Sequence, residues 1–185
     1  MYYMASCSFG KDSLAMVLRL IEERIPLNEV VFYDTGMEFQ AVYNIRDKVL
    51  PILEENGIKY TELNPDNDFL YDMLERPVKS KQKGKHKGYG WCGGVCRWGT
   101  SHKLQKIDKY AESKNAFVYI GIASDETKRI GKINKPYKLY PLCNQVFLKW
   151  NMSEKDCLQF CYDRGFAWEE NGIISRSEER FSRNA

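Results

Sequence analysis

A six-residue segment near the start of the chain, Ser8 to Ser13 (SFGKDS), combines the residue types that bind phosphate. Its glycine permits a tight turn, its lysine supplies positive charge, and its serine hydroxyls stand beside the first free amides of a following helix. The spacing departs from the mononucleotide P-loop, in which four residues separate the first glycine from Gly-Lys-Ser/Thr. The segment therefore predicts an anion site of another kind. A glycine turn with a serine helix cap is the structural alternative.

A second segment follows the apolar stretch EVVFY at residues 29–33. Asp34 comes directly after this stretch, with Thr35 and Gly36 behind it. A carboxylate at the end of a strand could accept hydrogen bonds from ribose hydroxyls or from an adenine amine. Alternatively, Asp34 caps a helix beginning near Glu38, where the helix dipole stabilises acidic residues.

A third segment, residues 121–129 (GIASDETKR), places two carboxylates and a guanidinium after another apolar stretch. Asp125 and Glu126 could hold Mg²⁺ together with substrate phosphates, because this hard cation prefers oxygen ligands. They could equally form the first turn of a helix. Arg129 and Lys11 could balance the charge that develops when a phosphoanhydride breaks, and such stabilisation is the larger part of that catalysis. No nucleophilic side chain is then required.

Four of the six cysteines fall in two pairs with the same spacing, Cys92 with Cys96 and Cys157 with Cys161. Together the four could bind zinc or an iron–sulfur cluster if the fold joins the pairs. Cys157 and Cys161 could instead be small buried residues on one face of a helix. Cys92 and Cys96 alone could act as a redox or sulfur-carrying pair, because the lysines nearby would lower a thiol pKa.

The segment between these motifs at residues 79–90 (KSKQKGKHKGYG) alternates lysine with small polar residues and has no apolar face. This pattern predicts a flexible basic loop inserted into the fold. Its lysines, Lys79 to Lys87, could contact the phosphates of tRNA or DNA. A solvated loop is the commoner outcome, since the run lacks the interleaved aromatic residues that stack on bases.

Periodicity along the chain predicts the elements that position these motifs. Strands are predicted at 2–7, 29–33, 58–63, 116–122 and 137–142. Helices are predicted from Asp12 to Pro26, at 38–55, after Trp98 through Tyr110, and at 153–164. Strands separated by helices of this length imply an α/β fold with a doubly wound, mainly parallel sheet and a short C-terminal helical region. The motif loops then lie at the carboxyl ends of strands. We expect one domain over residues 1–168 and a tail over 169–185.

The bulk composition narrows the class of protein. The 185 residues are 43% hydrophobic and 29% charged with a net charge of +3, and no apolar run reaches the length of a membrane span. The first residues, Met1 to Cys7, lack the basic and apolar regions of a signal peptide. We therefore expect a cytoplasmic protein without membrane contact, whose cysteines are reduced.

The motifs, taken in order, resemble those of the PP-loop adenine-nucleotide α-hydrolases, whose loop reads Ser-Gly-Gly-Lys-Asp-Ser. Phe9 replaces the first glycine, as in the phosphoadenosine phosphosulfate reductase branch. The segments 33–39 (YDTGMEF) and 121–129 are similar to two further elements of that branch, and Tyr140-Pro141-Leu142 with Trp150 and Ser153 is similar to a segment that closes the site. The resemblance covers about residues 2–168 and implies the HUP-type fold of this superfamily.

The resemblance also implies roles for individual residues. Catalytic roles are implied for Lys11, Ser13 and Arg129, and Cys92 or Cys96 would supply any thiol chemistry. ATP or phosphoadenosine phosphosulfate would be the substrate, with Mg²⁺. Nucleotide-binding roles are implied for Ser6, Ser8, Phe9, Gly10, Asp12, Asp34, Thr35, Gly36, Gly121, Ala123, Asp125 and Glu126.

The leading functional prediction is an enzyme that binds an adenine nucleotide and cleaves it at the α-phosphate, in sulfur or adenylyl transfer. A phosphoadenosine phosphosulfate or adenylyl sulfate reductase using Cys92 or Cys96 is the second, with a thiol reductant or a sulfur-donor protein as partner. The reductases of the family carry their catalytic cysteine in a Glu-Cys-Gly-x-His segment that this sequence lacks. A nucleotide-dependent nucleic-acid-binding module, using the lysine run, is the non-catalytic alternative.

Overall fold

A parallel sheet carries the motif loops in the computed structural model, which describes residues 1–80, 84–89, 97–130, 135–143, 150–170 and 173–174. Within these ranges the sheet has five strands in the order β3-β2-β1-β6-β7, and each neighbouring pair is parallel. The strands are β1 (Tyr2–Ser6), β2 (Glu29–Tyr33), β3 (Lys59–Leu63), β6 (Ala116–Ile120) and β7 (Lys138–Leu139). The strand order reverses at β1, so a crevice forms at its carboxyl end.

The other regular elements of the described residues are helices and two small hairpins. The α-helices are α1 (Lys11–Glu22), α2 (Gln40–Glu55), α3 (Lys103–Ser113), α4 (Thr127–Ile130) and α5 (Glu154–Tyr162). Two π-helical turns span Tyr71–Glu75 and Arg97–His102. The hairpins pair β4 (Pro77–Ser80) with β5 (Gly84–Lys87) and β8 (Glu169–Glu170) with β9 (Ile173–Ile174).

Helices cover both faces of the sheet. Alternate residues of a strand point to opposite faces, so each face has its own set of apolar side chains to bury. Ala5, Val30 and Phe32 belong to the larger core cluster, which includes buried residues of α1, α2 and α5. Met4 and Val31 belong to a second cluster on the other face with Ala111 of α3. The predicted α/β, doubly wound, mainly parallel sheet of the HUP type is therefore confirmed.

Several predicted boundaries agree with the structure to within a residue or two. The predicted strand at 29–33 matches β2, and the predicted helix at 153–164 begins after Ser153, whose side chain and that of Asp156 form a capping box. The strand predicted at 137–142 is shorter, with only Lys138 and Leu139 paired. Its sequence turns at Pro141, which lacks the amide proton that a ladder needs.

The basic segment at 79–90 differs from the prediction of a flexible loop. Its outer residues belong to the antiparallel hairpin β4–β5, in which Lys79 pairs with Lys85. A ladder needs only backbone groups, so lysine side chains do not prevent pairing. Gly84, with φ of 66°, supplies a left-handed position that glycine adopts at little cost. Residues 81–83 and 90 lie outside the described residues.

The boundary of the domain at residue 168 stays a prediction, although Trp168 is anchored in the core. Its indole nitrogen donates to the carbonyl of Phe9 at 2.8 Å. Of the predicted tail, β8 and β9 are described, whereas residues 171–172 and 175–185 lie outside the described residues. Among the helices that the structure describes, none is both long and apolar enough to span a bilayer.

Candidate functional site

The loop between β1 and α1 has a strained shape that core packing maintains. Phe9 has a φ of 56°, a left-handed conformation that costs a residue with a side chain roughly 1–2 kcal/mol. Its ring is fully buried and meets Phe32 edge-on at 5.2 Å. The hydrogen bond from Trp168 holds its carbonyl. Phe9 therefore shapes the loop through the core.

Ser13 links the two ends of this loop. Its hydroxyl accepts a hydrogen bond from the amide of Ser8 at 3.1 Å and donates to the carbonyl of Gly10 at 3.1 Å. The hydroxyl of Ser8 lies 3.2 Å from it. The helix α1 begins after Gly10, and no side chain caps its first amides. The alternative of a plain serine helix cap is not what the structure shows.

Lys11 is buried within a group of carboxylates. Its ammonium lies 3.0 Å from Oε2 of Glu154 and 3.4 Å from Oδ2 of Asp12. Burial acts to lower the pKa of Lys11, but the charges of Asp12 and Glu154 outweigh burial and hold that pKa above its usual value. Lys11 is therefore a permanent cation at the start of α1.

For Asp12 burial outweighs the charge of the neighbouring Lys11, so the pKa is raised. The pKa of Asp12 is raised to about 6, chiefly by burial and also by the negative charges of Glu126 and Glu154, and the charge of Lys11 only partly opposes this rise. Its Oδ1 is buried and has no hydrogen-bond partner in the part of the chain that the structure describes. The ionised form of Asp12 is thus short of positive partners.

This balance predicts a pH-dependent gain in stability for Asp12→Asn. The pKa of Asp12 is about 6 in the folded protein and 3.8 in the unfolded chain. Protonated Asp12 therefore stabilises the fold fully below pH 3.8, and this stabilisation is lost as the pH rises through 6. Above about pH 7 the variant should be more stable by on the order of 2–3 kcal/mol. Urea unfolding across this pH range measures the effect, and a difference that does not shrink toward acid pH contradicts it.

Gly121 brings the loop after β6 against the start of α1. A Cβ atom at Gly121 would lie 2.7 Å from the Cα of Ser13 and 2.8 Å from its amide nitrogen. Real Cβ atoms do not approach a backbone so closely, so only glycine permits this contact. Ser6, at the end of β1, is paired with both Val31 and Ile120. The three motif loops therefore converge at the carboxyl end of β1.

The carboxylates of the third motif make local contacts. Glu126 accepts hydrogen bonds from the amide of Ala123 at 3.2 Å and from Arg129 at 2.6 Å. Asp125 accepts a hydrogen bond at 3.1 Å from the amide of Glu154, the first residue of α5. These contacts place the motif beside Lys11, and Arg129 remains partly exposed.

The second motif is organised by Asp34, which does not cap α2. The N-cap of α2 is Phe39, and it makes no side-chain cap. Oδ1 of Asp34 instead accepts hydrogen bonds from the amide of Gly36 at 2.8 Å and from the hydroxyl of Tyr43 at 2.7 Å. Thr35 donates to Glu38 at 2.9 Å. The capping alternative for Asp34 was wrong, and its role toward a nucleotide stays a prediction.

The four cysteines that the structure describes do not form a metal site. Cys157 and Cys161 are fully buried between α5 and α1, and burial is the main cause that raises the pKa of Cys157. Burial likewise raises the pKa of Cys7 to about 11. Among the described residues, no group of three or more Cys, His, Asp or Glu side chains is arranged to hold a metal ion. Cys92 and Cys96 lie outside those residues, so the four-cysteine site stays a prediction.

Sequence reasoning missed several residues at this site because the contacts that place them there are remote in the chain. Glu154 contacts Lys11 at the start of α1 from 143 residues away, and Trp168 contacts Phe9 in the loop before it from 159 residues away. Lys103, at the start of α3, interacts with Glu38 and Cys7, and burial lowers its pKa despite them. No motif marks these three residues.

The fold and the convergent loops define an α/β protein whose motif loops gather at the carboxyl end of β1, beside the start of α1. The model of the phosphoadenosine phosphosulfate reductase domain family matches residues 2–144. The chain therefore belongs to this family, as its motifs indicated.

The individual proteins that this chain resembles share less than a third of their aligned residues with it. An uncharacterized protein of Methanocaldococcus jannaschii is 26% identical over 88% of this chain, and an adenosine 5′-phosphosulfate reductase of Staphylococcus epidermidis is 29% identical over 50% of it. The chain spans only 34% and 43% of the lengths of these two proteins.

Solved structures of other proteins share the fold, and one of them is a tRNA thiolase. The U34-tRNA thiolase NcsA of Methanococcus maripaludis, solved with its [4Fe-4S] cluster, matches with a TM-score of 0.60 over 99% of this chain and 64% of its own. Its sequence identity of 16% makes this a likeness of fold.

Proposed function

We propose that the protein binds an adenine nucleotide at the carboxyl end of β1 and cleaves it at the α-phosphate, in sulfur or adenylyl transfer. The observation that carries this proposal is the contact between Gly121 and Ser13, which joins two motif loops at the amino end of α1. The family match and the buried cation of Lys11 support it.

In this proposal the described residues act by position and charge. The α1 amides and Lys11 bind the phosphates, and Lys11 exchanges its contact with Glu154 for a phosphate oxygen. Asp34 and Gly36 bind the adenosine from the neighbouring strand. Arg129 balances charge that develops on the leaving group. The phosphate loop needs no nucleophile, which agrees with the raised pKa of Cys7.

Mg²⁺ is the cation expected with such a substrate. Asp12, whose Oδ1 has no partner among the described residues, is a carboxylate donor of the kind that suits this cation, and the substrate phosphates would have to supply most of the other oxygen ligands. When bound, the cation would neutralise phosphate charge. Zinc or an iron–sulfur cluster has no fitting ligand set among the described residues, because Cys157 and Cys161 are enclosed by the core and Cys92 and Cys96 are not described.

Product analysis tests the proposal. We expect the anaerobic protein with Mg²⁺ to release AMP and pyrophosphate from ATP in the presence of an acceptor, or sulfite from phosphoadenosine phosphosulfate in the presence of a thiol reductant. The Lys11→Ala, Ser13→Ala double variant should lose this activity, and Lys48→Ala on the exposed face of α2 should keep it. Equal rates in wild type and double variant would refute the site.

The second candidate, reduction of a sulfated nucleotide, is favoured by the similarity to an adenosine 5′-phosphosulfate reductase. Sulfite release that depends on Cys92 or Cys96 would select it. The nucleic-acid alternative would use Lys79, Lys85 and Lys87 of the β4–β5 hairpin, whose side chains are mostly solvent-exposed. Salt-sensitive tRNA binding that is lost when these lysines are replaced would support it.

A further inference from the structure

The cation proposed to bind the substrate phosphates, Lys11, already has a carboxylate partner. Oε2 of Glu154 lies 3.0 Å from the ammonium of Lys11, at the distance of a charge-assisted hydrogen bond. The side chain of Lys11 is 9% exposed, whereas that of Glu154 is 34% exposed. The cation is therefore enclosed by the protein, and its partner borders solvent.

The charges around Lys11 leave no positive surplus for an incoming anion. Lys11 contacts Asp12 and Glu154, and the nearby Glu126 is paired with Arg129. These two cations and three carboxylates sum to a net charge of −1 when all are ionised. A phosphate that entered with every contact intact would meet like charge at short range, where repulsion is strong. Release of one carboxylate from Lys11 removes this conflict.

Of the two carboxylates that contact Lys11, Glu154 is the one that can withdraw. Asp12 is adjacent to Lys11 in the chain, and its side chain is only 14% exposed. Glu154 has a longer side chain that borders solvent, and it is the first residue of α5. Its carboxylate stays near the positive end of the dipole of α5 after it turns toward water. Withdrawal therefore costs little beyond the contact with Lys11.

The backbone at Glu154 is held independently of this contact. The amide of Glu154 donates to Oδ1 of Asp125 at 3.1 Å. Ser153 and Asp156 form the capping box of α5, in which the amide of Ser153 donates to Asp156 at 2.9 Å. Withdrawal of the Glu154 carboxylate is therefore a change of side-chain rotamer and requires no movement of α5.

We propose that Glu154 is an internal substitute for the substrate phosphate, which neutralises Lys11 in the empty site and turns away when a nucleotide phosphate takes its place. The inference rests on the proposed function, because it concerns what sets nucleotide affinity at the same site. Glu154 is thus a positioning residue that acts through Lys11. It lowers the affinity of phosphorylated nucleotides by the fraction of molecules in which Lys11 is released, and it does not affect a nucleoside.

Calorimetry with α,β-methylene-ATP measures this effect, because the methylene group prevents cleavage between the α- and β-phosphates. Glu154→Gln keeps the shape of the side chain and removes its charge, so it should bind this probe about 3- to 10-fold more tightly than wild type. Adenosine has no phosphate to contact Lys11 and should bind both proteins equally. Asp163→Asn, at the other end of α5, is the charge-matched control and should bind the probe like wild type.

A second variant separates the contact with Lys11 from the general charge of the site. Glu154→Asp keeps the charge but is one methylene shorter, so its carboxylate should lose the contact with Lys11. It should therefore also bind the probe more tightly than wild type, by at least about 2-fold. Wild-type affinity in Glu154→Asp with a gain in Glu154→Gln would assign the effect to general charge and overturn the proposal. Unchanged or weaker binding in Glu154→Gln would also overturn it.

Steady-state kinetics give a readout that a merely structural role would not move in this direction. The contact between Glu154 and Lys11 is absent from both the bound substrate and the transition state, so Glu154→Gln should lower KM and leave kcat within about 2-fold of wild type. A raised KM would contradict the proposal. Absence of probe binding in wild type and in every variant would refute the proposed function and this inference together, whereas probe binding that Glu154→Gln does not strengthen would refute this inference alone.

Discussion

Replacing Lys11 with methionine should reduce nucleotide cleavage at least about 100-fold, the largest kinetic effect of any single change to the described residues. The side chain is the cation at the start of α1 and is only 9% exposed, so water screens its charge weakly. Methionine keeps the length of the apolar stem and removes the charge. Steady-state kinetics with ATP and with phosphoadenosine phosphosulfate would measure the loss.

The same change should also alter the carboxylates around the site. Without Lys11, Asp12 loses the cation that lowers its pKa, while the charges of Glu126 and Glu154 persist. A second variant, Lys11→Met with Asp12→Asn, should recover stability without recovering activity. Lys48→Met on the exposed surface of α2 is the control. A wild-type rate in Lys11→Met would remove Lys11 from the mechanism.

Replacing Gly121 with alanine should cause the largest structural effect at the site. The added Cβ would meet the backbone of Ser13 and the carbonyl of Asp12 at 2.7–2.9 Å, and backbone cannot rotate away as a side chain can. Overpacking of this kind typically costs about 1–3 kcal/mol and moves the neighbouring segment. The start of α1 would shift from the β6 loop, so nucleotide affinity should fall about 10-fold or more.

Gly57→Ala separates this effect from general strain. Gly57 has a φ of 66°, and a Cβ there would meet no atom within 4 Å. It should lose about 1 kcal/mol of unfolding free energy from backbone strain and keep its nucleotide affinity. Urea unfolding and nucleotide titration on both variants make the comparison. Equal affinity in Gly121→Ala and wild type would contradict the convergence of the loops as the basis of binding.

Local patterns in the sequence were sufficient to predict most of the regular elements. The apolar stretch at 29–33 and the start of α1 depend on neighbouring residues, so they could be predicted from the chain alone, whereas α1 ends at Glu22, short of the predicted Pro26. Ser153 at the start of α5 is a local signal of the same kind. The basic hairpin was missed because backbone pairing between polar strands leaves no apolar alternation to read.

The class of fold, the order of the motifs and their place at the ends of strands could be inferred from the chain alone, since these follow from local periodicity and from the handedness of crossovers. Which side chains meet depends instead on how the elements pack. The ion pair of Lys11 with Glu154 joins residues 143 positions apart in the chain. The pKa of Asp12 depends on burial and on charges from three separate segments. Such balances arise from packing, and no local pattern records them.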